Sequence, residues 1–380
     1  MQGDRLYLRV PDPVLDDLRR RLAATRWTDT IPGSGWDHGS DLTVIKELAG
    51  YWHDQFDWRA REAFLDEVLP GRVVQLDGRQ LHYAYLAGRG PSPFPLLLLH
   101  GWPGSFTEFY KVAPALADPA GHGGEPADAF DVIVPSLPGH GFSDAPMSVG
   151  FGADECADLL RTLMIDVLGY SRFGSQGGDR GALVSTSLGH RHPEVVAGIH
   201  LNMPGGIPGA PGQRGDDEER WLVERPQWQV VEGGYSAIQS TKPQTLAFGL
   251  HDSPVGTLAW IVEKWRAWSD CDGDVLRCFT PDELLTNVMV YWVTGTLRSS
   301  MHWYFEHRTR PPAFVRPVRI DVPTGVAVFP KEIGRVPRSA VERKYDVRRW
   351  TELPRGGHFA AMEQPDALID EIRAFFRPLR

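Results

Sequence analysis

Apolar positions recur along this chain with two different periods. After Asp12 and Pro13, a good capping residue and a good first helical residue, Val14, Leu15, Leu18 and Leu22 fall on one helix face, predicting a first helix that ends near Thr25. From there to about residue 70 the chain is Trp-rich and helical in parts (LTVIKELAGYW, WRAREAFLDEVL), interrupted by the turn-rich TIPGSGWDHGSD. VVQLDGRQLHYAYL then alternates around Asp77-Gly78, the pattern of a hairpin. PLLLLHG is an unbroken apolar run of strand length, suited to a strand buried on both faces.

Helical and strand runs alternate from that point through SFTEFYKVAPALA, FDVIVPS, DECADLLRTLMIDVLGY, RFGSQ, RGALVSTSLGHR and VVAGIHLN. This rhythm predicts an α/β fold, a mostly parallel sheet covered by helices. It breaks after Asn202 into a Gly- and Pro-rich stretch and a Trp-rich helical region reaching about Pro312, then resumes with VPTGVAVFP, VRRWTEL and the amphipathic DALIDEIRAFF. An inserted helical lid explains the break. The expected organisation is an N-terminal meander segment over 1–70, a first part of the core over 71–205, the lid over 206–315 and a second part of the core over 316–380. The acidic run Asp216 to Glu219 reads as a solvated loop face.

Composition narrows the function classes. With 380 residues, 42% of them hydrophobic, the chain can bury a sizeable core. A net charge of −9 is the wrong sign for neutralising phosphates, so nucleic acid and anionic membrane are not expected partners. Cys156, Cys271 and Cys278 match neither a disulfide framework nor a zinc site, and DCDGD at 270–274 lacks the later glycine and glutamate of a calcium loop, so no metal is expected. The opening MQGDRLYLRVPDP has no apolar signal-peptide region, and no run of about eighteen apolar residues occurs, pointing to a soluble, cytoplasmic product without a membrane anchor.

The chemistry concentrates in RFGSQGGDRGALVS, where an apolar strand leads through Gly177, Gly178, Asp179, Arg180, Gly181 and Ala182 into a helix. This has the form of a nucleophile elbow, whose neighbours must be small because strand and helix backbones approach closely, with Asp in place of the usual Ser. The plainer reading is a Gly-rich turn whose Asp caps the helix. Context favours the elbow. HGWPGS at 100–105 directly follows the buried strand, and such a loop supplies a backbone N–H from Trp102 beside that of Arg180, a two-donor oxyanion hole. His358 in RGGHFAAMEQP stands between a strand and the last helix. The chain order nucleophile, acid, histidine calls for an acid at a strand end between Asp179 and His358, and Glu332 in VAVFPKE fits better than Asp321, which precedes a strand, or Asp346, which starts one.

HGWPGS, PSLPGHGFSDAP, GGDRGA, DSPVG, LLTNVMVYW, FPKE and RGGHFAAMEQP, in this order, resemble the microsomal-type epoxide hydrolases, and LRRRLAATRW with YWHDQFDWR resembles their N-terminal domain. The resemblance spans nearly the whole chain and implies the α/β-hydrolase fold. It departs in lacking the membrane anchor of the vertebrate members, so soluble bacterial relatives, some in enediyne antibiotic biosynthesis, are the nearer comparison. The resemblance implies attack of Asp179 on a small apolar or aromatic epoxide, hydrolysis of the resulting ester by water with His358 and Glu332, and release of a vicinal diol, with no cofactor. It also carries two acidic lid tyrosines onto Tyr235 in GGYSAIQ and Tyr304 in MHWYFE. Two readings compete: a dehalogenase with the same Asp-Arg-Gly elbow, and a hydrolase-fold small-molecule binder without catalysis. The oligomeric state, a homo-oligomer included, is left open.

Overall fold

A computed structural model describes residues 3–146 and 148–380. The chain opens with a short strand, β1 (Asp4–Arg5), and three helices, α1 (Asp12–Ala23), α2 (Leu42–Asp54) and α3 (Trp58–Val68). Pro11 is the cap residue of α1, so Asp12 lies inside its first turn, and the helix ends at Ala23, two residues before the expected point. The strands β2 (Gly71–Leu76) and β3 (Arg79–Leu86) form the expected hairpin. Its two-residue turn places Asp77 at φ 50° and Gly78 at φ 73°, the left-handed pair that Asp-Gly accommodates.

Six further strands follow: β4 (Phe94–Leu99), β5 (Phe130–Pro135), β6 (Phe173–Gly177), β7 (Val196–Leu201), β8 (Ile320–Val328) and β9 (Tyr345–Glu352). Among the described residues all nine strands make one sheet, ordered β1-β2-β3-β5-β4-β6-β7-β8-β9. It is antiparallel from β1 to β5 and parallel from β5 through β4 to β9. Strand β4 explains the apolar run: Leu96 and Leu98 join the hydrophobic cluster on one face and Leu97 and Leu99 that on the other. Helices cover both faces, among them α4 (Ala113–Ala117), α5 (Ala153–Thr162) and α6 (Asp179–Arg191). The single helix expected over SFTEFYKVAPALA is instead a 3-10 turn, Phe106–Lys111, followed by α4. Pro114 has no N–H to continue a helical ladder from the preceding turn.

Between β7 and β8 six helices are inserted: α7 (Asp216–Glu232), α8 (Gly234–Thr241), α9 (Pro243–Asp252), α10 (Pro254–Trp268), α11 (Pro281–Thr294) and α12 (Leu297–Thr309). The run Asp216 to Glu219 is the first turn of α7 rather than a solvated loop. Acidic side chains suit a helix N-terminus, and Glu218 is buried, accepting from the Gly209 N–H at 2.9 Å and paired with Arg343 at 2.8 Å. The N-terminal segment braces this insertion, with Tyr51 donating to Asp282 (2.9 Å), Arg61 to Thr286 (2.9 Å) and Ser40 to the Ala259 carbonyl (2.8 Å). The chain closes with α13 (Arg338–Lys344), α14 (Ala360–Glu363) and α15 (Pro365–Phe376).

Candidate active site

Strand β6 ends at Gly177 and α6 begins at Asp179, leaving one residue to turn the chain. Asp179 takes a φ of 47°, a left-handed conformation that costs a non-glycine residue about 1–3 kcal/mol and persists only when its surroundings impose it. Close packing imposes it here. A Cβ on Gly181 would stand 1.9 Å from the Leu99 carbonyl oxygen, and one on Gly101 would stand 2.3 Å from the Asp179 Cβ. The N–H of Trp102 donates to Asp179 Oδ1 at 2.9 Å. That loop is fixed in turn by α11, where Asn287 donates to the Pro103 carbonyl (2.7 Å) and Tyr291 to the Gly104 carbonyl (2.6 Å). The N–H of Arg180 follows in the first turn of α6, where helix geometry gives it no backbone acceptor.

His358 meets this carboxylate from the loop after β9. Its Nε2 is 3.7 Å from Asp179 Oδ2, and its Nδ1 is 2.7 Å from Glu332 Oε1. Its backbone N–H donates to the Trp268 carbonyl at 2.9 Å, and the Gly356 N–H donates to Asp270 at 2.9 Å, so α10 and the loop behind it set the height of the ring. Burial pulls the imidazole pKa down, but the charge and hydrogen bond of Glu332, then the charge of Asp179, outweigh it and hold the group up to about 9. Of the three acids weighed from the sequence, Glu332 alone reaches His358. Asp321 lies within β8 rather than before it, exposed beside Arg319, and Asp346 pairs with Arg348.

The inserted helices bring two phenols over the carboxylate. Tyr235 in α8 stacks on Trp102 with ring centroids 5.4 Å apart and planes 5° from parallel. Tyr304 in α12 meets Trp102 and Tyr235 edge-on, each at 5.7 Å. Ser299 and Trp303 anchor α12 by donating to the Gly139 and Pro138 carbonyls at 2.6 and 2.9 Å, which gives the GHGFSD stretch its place. Burial first, and the Asp179 charge among the lesser causes, raise both phenol pKa values, so both hydroxyls stay protonated donors. The Arg180 guanidinium lies 3.8 Å over the Tyr304 ring and opposes part of that rise.

Comparison with known proteins decides what this arrangement is related to. Residues 4–109 match the model for the epoxide hydrolase N terminus and residues 95–230 that for the alpha/beta hydrolase fold. A Stigmatella aurantiaca protein whose epoxide hydrolase name is provisional is 42% identical over 374 residues, 98% of this chain and 84% of its own. Rabbit (Oryctolagus cuniculus) epoxide hydrolase 1 is 37% identical over 396 residues, 96% of this chain and 86% of its own. The chain belongs to the epoxide hydrolase family. The solved structure of Aspergillus niger epoxide hydrolase superposes with a TM-score of 0.88 at 29% identity, covering 100% of this chain and 97% of that one.

In this epoxide hydrolase family member the fold gathers Asp179, His358, Glu332, Tyr235, Tyr304 and the Trp102 N–H around one point, and Trp102 and Trp268 are the tryptophans that wall it. Sequence reasoning missed four groups there: Asn287 and Tyr291, which hold the HGWPGS loop, the Arg180 side chain over Tyr304, and Glu108. The first two lay within a quoted motif, LLTNVMVYW, whose polar residues at helical spacing were the available signal. Glu108 stands three residues after Ser105, a spacing that signals a helix-start capping box as readily as a site residue.

Proposed function

We propose that the protein hydrolyses an epoxide to a vicinal diol through an ester on Asp179. The observation that carries this reading is the Asp179 carboxylate itself, held through Oδ1 by the Trp102 N–H and facing His358 through Oδ2. An epoxide has no carbonyl to accept a serine alkoxide. It offers a strained carbon open to in-line displacement, which a positioned carboxylate oxygen performs. As the Asp179 oxygen bonds to the ring carbon, the carbon–oxygen bond of the ring breaks, and the leaving alkoxide takes a proton from Tyr235 or Tyr304. The Arg180 cation beside Tyr304 steadies the phenolate until solvent returns its proton.

Alkylation removes the Asp179 charge, one of the supports of the His358 proton, so the imidazole passes more readily to the neutral base. His358 then takes a proton from water, whose oxygen attacks the Asp179 carbonyl carbon while the Trp102 and Arg180 N–H groups hold the oxyanion. Collapse breaks the ester bond, the diol leaves with the proton from His358, and the remaining water proton passes from the Asp179 carboxyl to solvent, restoring the carboxylate. The aromatic walls favour apolar or aromatic epoxides. No helix among the described residues is long and apolar enough to cross a membrane. Cytoplasmic residence belongs to this proposal on the composition of the sequence, and service in antibiotic biosynthesis on the sequence resemblance alone.

Turnover tests the reading: aryl and aliphatic epoxides should give diols, and fluoroacetate and chloroacetate should release no halide. Halide release without diol formation would replace it with the dehalogenase reading, and neither product with any substrate would favour the binder. The pH dependence gives a second check. Because neutral His358 is the base, ester hydrolysis should be lost as pH falls through the pKa of the histidine. Glu332 supplies the largest of the raising effects, so Glu332→Gln should move that limb to lower pH and slow the step by about 10–10²-fold. A limb and rate that stay in place in single-turnover kinetics would remove Glu332 from the relay.

A further inference from the structure

A small cavity of about 20 Å³, room for about one water molecule, lies beside the Asp179 carboxylate. His358, His100, Gln176, Asn202 and Glu108 are among the residues that line it. Glu108 is the one carboxyl there, apart from Asp179, and the reaction described above does not use it. It belongs to the 3-10 turn after HGWPGS, within the segment that Asn287 and Tyr291 clamp from α11. Its carboxyl folds back over Gly104: a Cβ at that position would fall 1.3 Å from Glu108 Oε1. Only glycine at 104 leaves the carboxyl this place.

The bland explanation is local: the Ser105 N–H at the start of the turn lies near enough to favour the Glu108 carboxylate. That contact takes up at most part of the acceptor capacity of two carboxyl oxygens. Among the described residues no side chain takes up the rest, and no ion pair within 4.0 Å joins Glu108 to His358. The two groups nevertheless act on each other through charge and line the same small cavity. Two groups that line one water-sized cavity without a direct ion pair can share a water rather than a proton.

We infer that Glu108 is a positioning residue for the hydrolytic water, accepting one of its hydrogens while His358 takes the other. The inference rests on the ester mechanism proposed above. In the hydrolytic step the water oxygen bonds to the Asp179 carbonyl carbon, one proton passes to His358 Nε2, and the second stays on the new carboxyl, directed at Glu108 until collapse expels the diol. Two directions of charge agree with it. Burial pushes the Glu108 carboxyl up to about 8, with Asp179 adding to the rise and His358 opposing it. Loss of the Asp179 charge on alkylation therefore eases ionisation of Glu108 at the stage when water needs an acceptor. The carboxylate then also steadies the imidazolium that forms on His358.

The test separates the two half-reactions by rapid-mixing single turnover of an epoxide, with ester on the protein followed by mass spectrometry. Glu108→Leu keeps the bulk and loses every acceptor, whereas Glu108→Gln keeps a carbonyl acceptor that can still face the Ser105 N–H. Loss of one hydrogen bond to a developing charge predicts ester hydrolysis slower by about 10–10²-fold in Glu108→Leu, with alkylation within about twofold of wild type. Glu108→Gln should recover part of the loss. Hydrolysis at the wild-type rate in Glu108→Leu, or equal slowing of both steps, overturns the inference while leaving the ester mechanism in place. An equally active Gln and Leu pair, both slow, also overturns it, because the acceptor would then not matter. Absence of any ester in the wild type and in His358→Gln overturns both readings.

Discussion

His358→Gln should alkylate Asp179 at close to the normal rate and then stall as the ester. In the proposed mechanism nothing in the displacement step needs a base, because a carboxylate attacks and the phenols supply the proton for the leaving oxygen. Hydrolysis does need one, and a positioned general base contributes about 10²–10⁴ in rate. Gln has no comparable basicity, so the mutant should accumulate protein heavier by the mass of one epoxide, in proportion to the active fraction. The change is gentle on the fold. The backbone N–H of residue 358, which donates to the Trp268 carbonyl, is untouched, and a polar side chain still faces Glu332. Ester decay at the wild-type rate in this mutant would remove His358 as the base.

The double substitution Tyr235→Phe with Tyr304→Phe should produce the opposite pattern, a block before the ester. Removal of one preorganised transition-state donor costs about 10²–10³ in rate, but two donors to one oxygen cover for each other, so each single mutant should lose less than the double. Phe retains the stack of residue 235 on Trp102 and the edge contact of residue 304, so the loss reads on the hydroxyls rather than on packing. Hydrolysis of ester once formed should stay near normal. A double mutant that opens epoxides at the wild-type rate would take the phenols out of the reaction and, with them, the feature that separates this site from a dehalogenase.

The strand-to-helix elbow that carries Asp179, the proposed nucleophile, and the position of His358 were legible in the sequence because their requirements are local. A turn that forces φ to 47° between strand and helix demands small neighbours, and those glycines are visible without any fold. The strand β4 was legible because burial on both faces removes the alternation that one exposed face would leave. Glu332 was legible as the acid that follows a strand, a matter of order along the chain. What stayed hidden depends on contacts between remote segments. Asn287 and Tyr291 reach the HGWPGS loop across 184 and 187 residues, so their role exists only once α11 lies over that loop. Arg180 meets Tyr304 in the same way, from the core to the insertion. Glu108 was hidden for another reason: its spacing from Ser105 has a sufficient local explanation. The 3-10 turn that carries it was read as one helix with α4, since periodicity over so short a run does not distinguish the two.

The central claim is the ester on Asp179, and the source of the oxygen in the product tests it most directly. A single turnover in heavy-oxygen water, with enzyme in excess, should leave the new diol almost unlabelled, because its second oxygen comes from the Asp179 carboxylate. The label should appear instead in the peptide that contains Asp179, carried there by the water that hydrolyses the ester. A fully labelled first diol with an unlabelled Asp179 peptide would mean that water opens the epoxide directly, and would contradict the account.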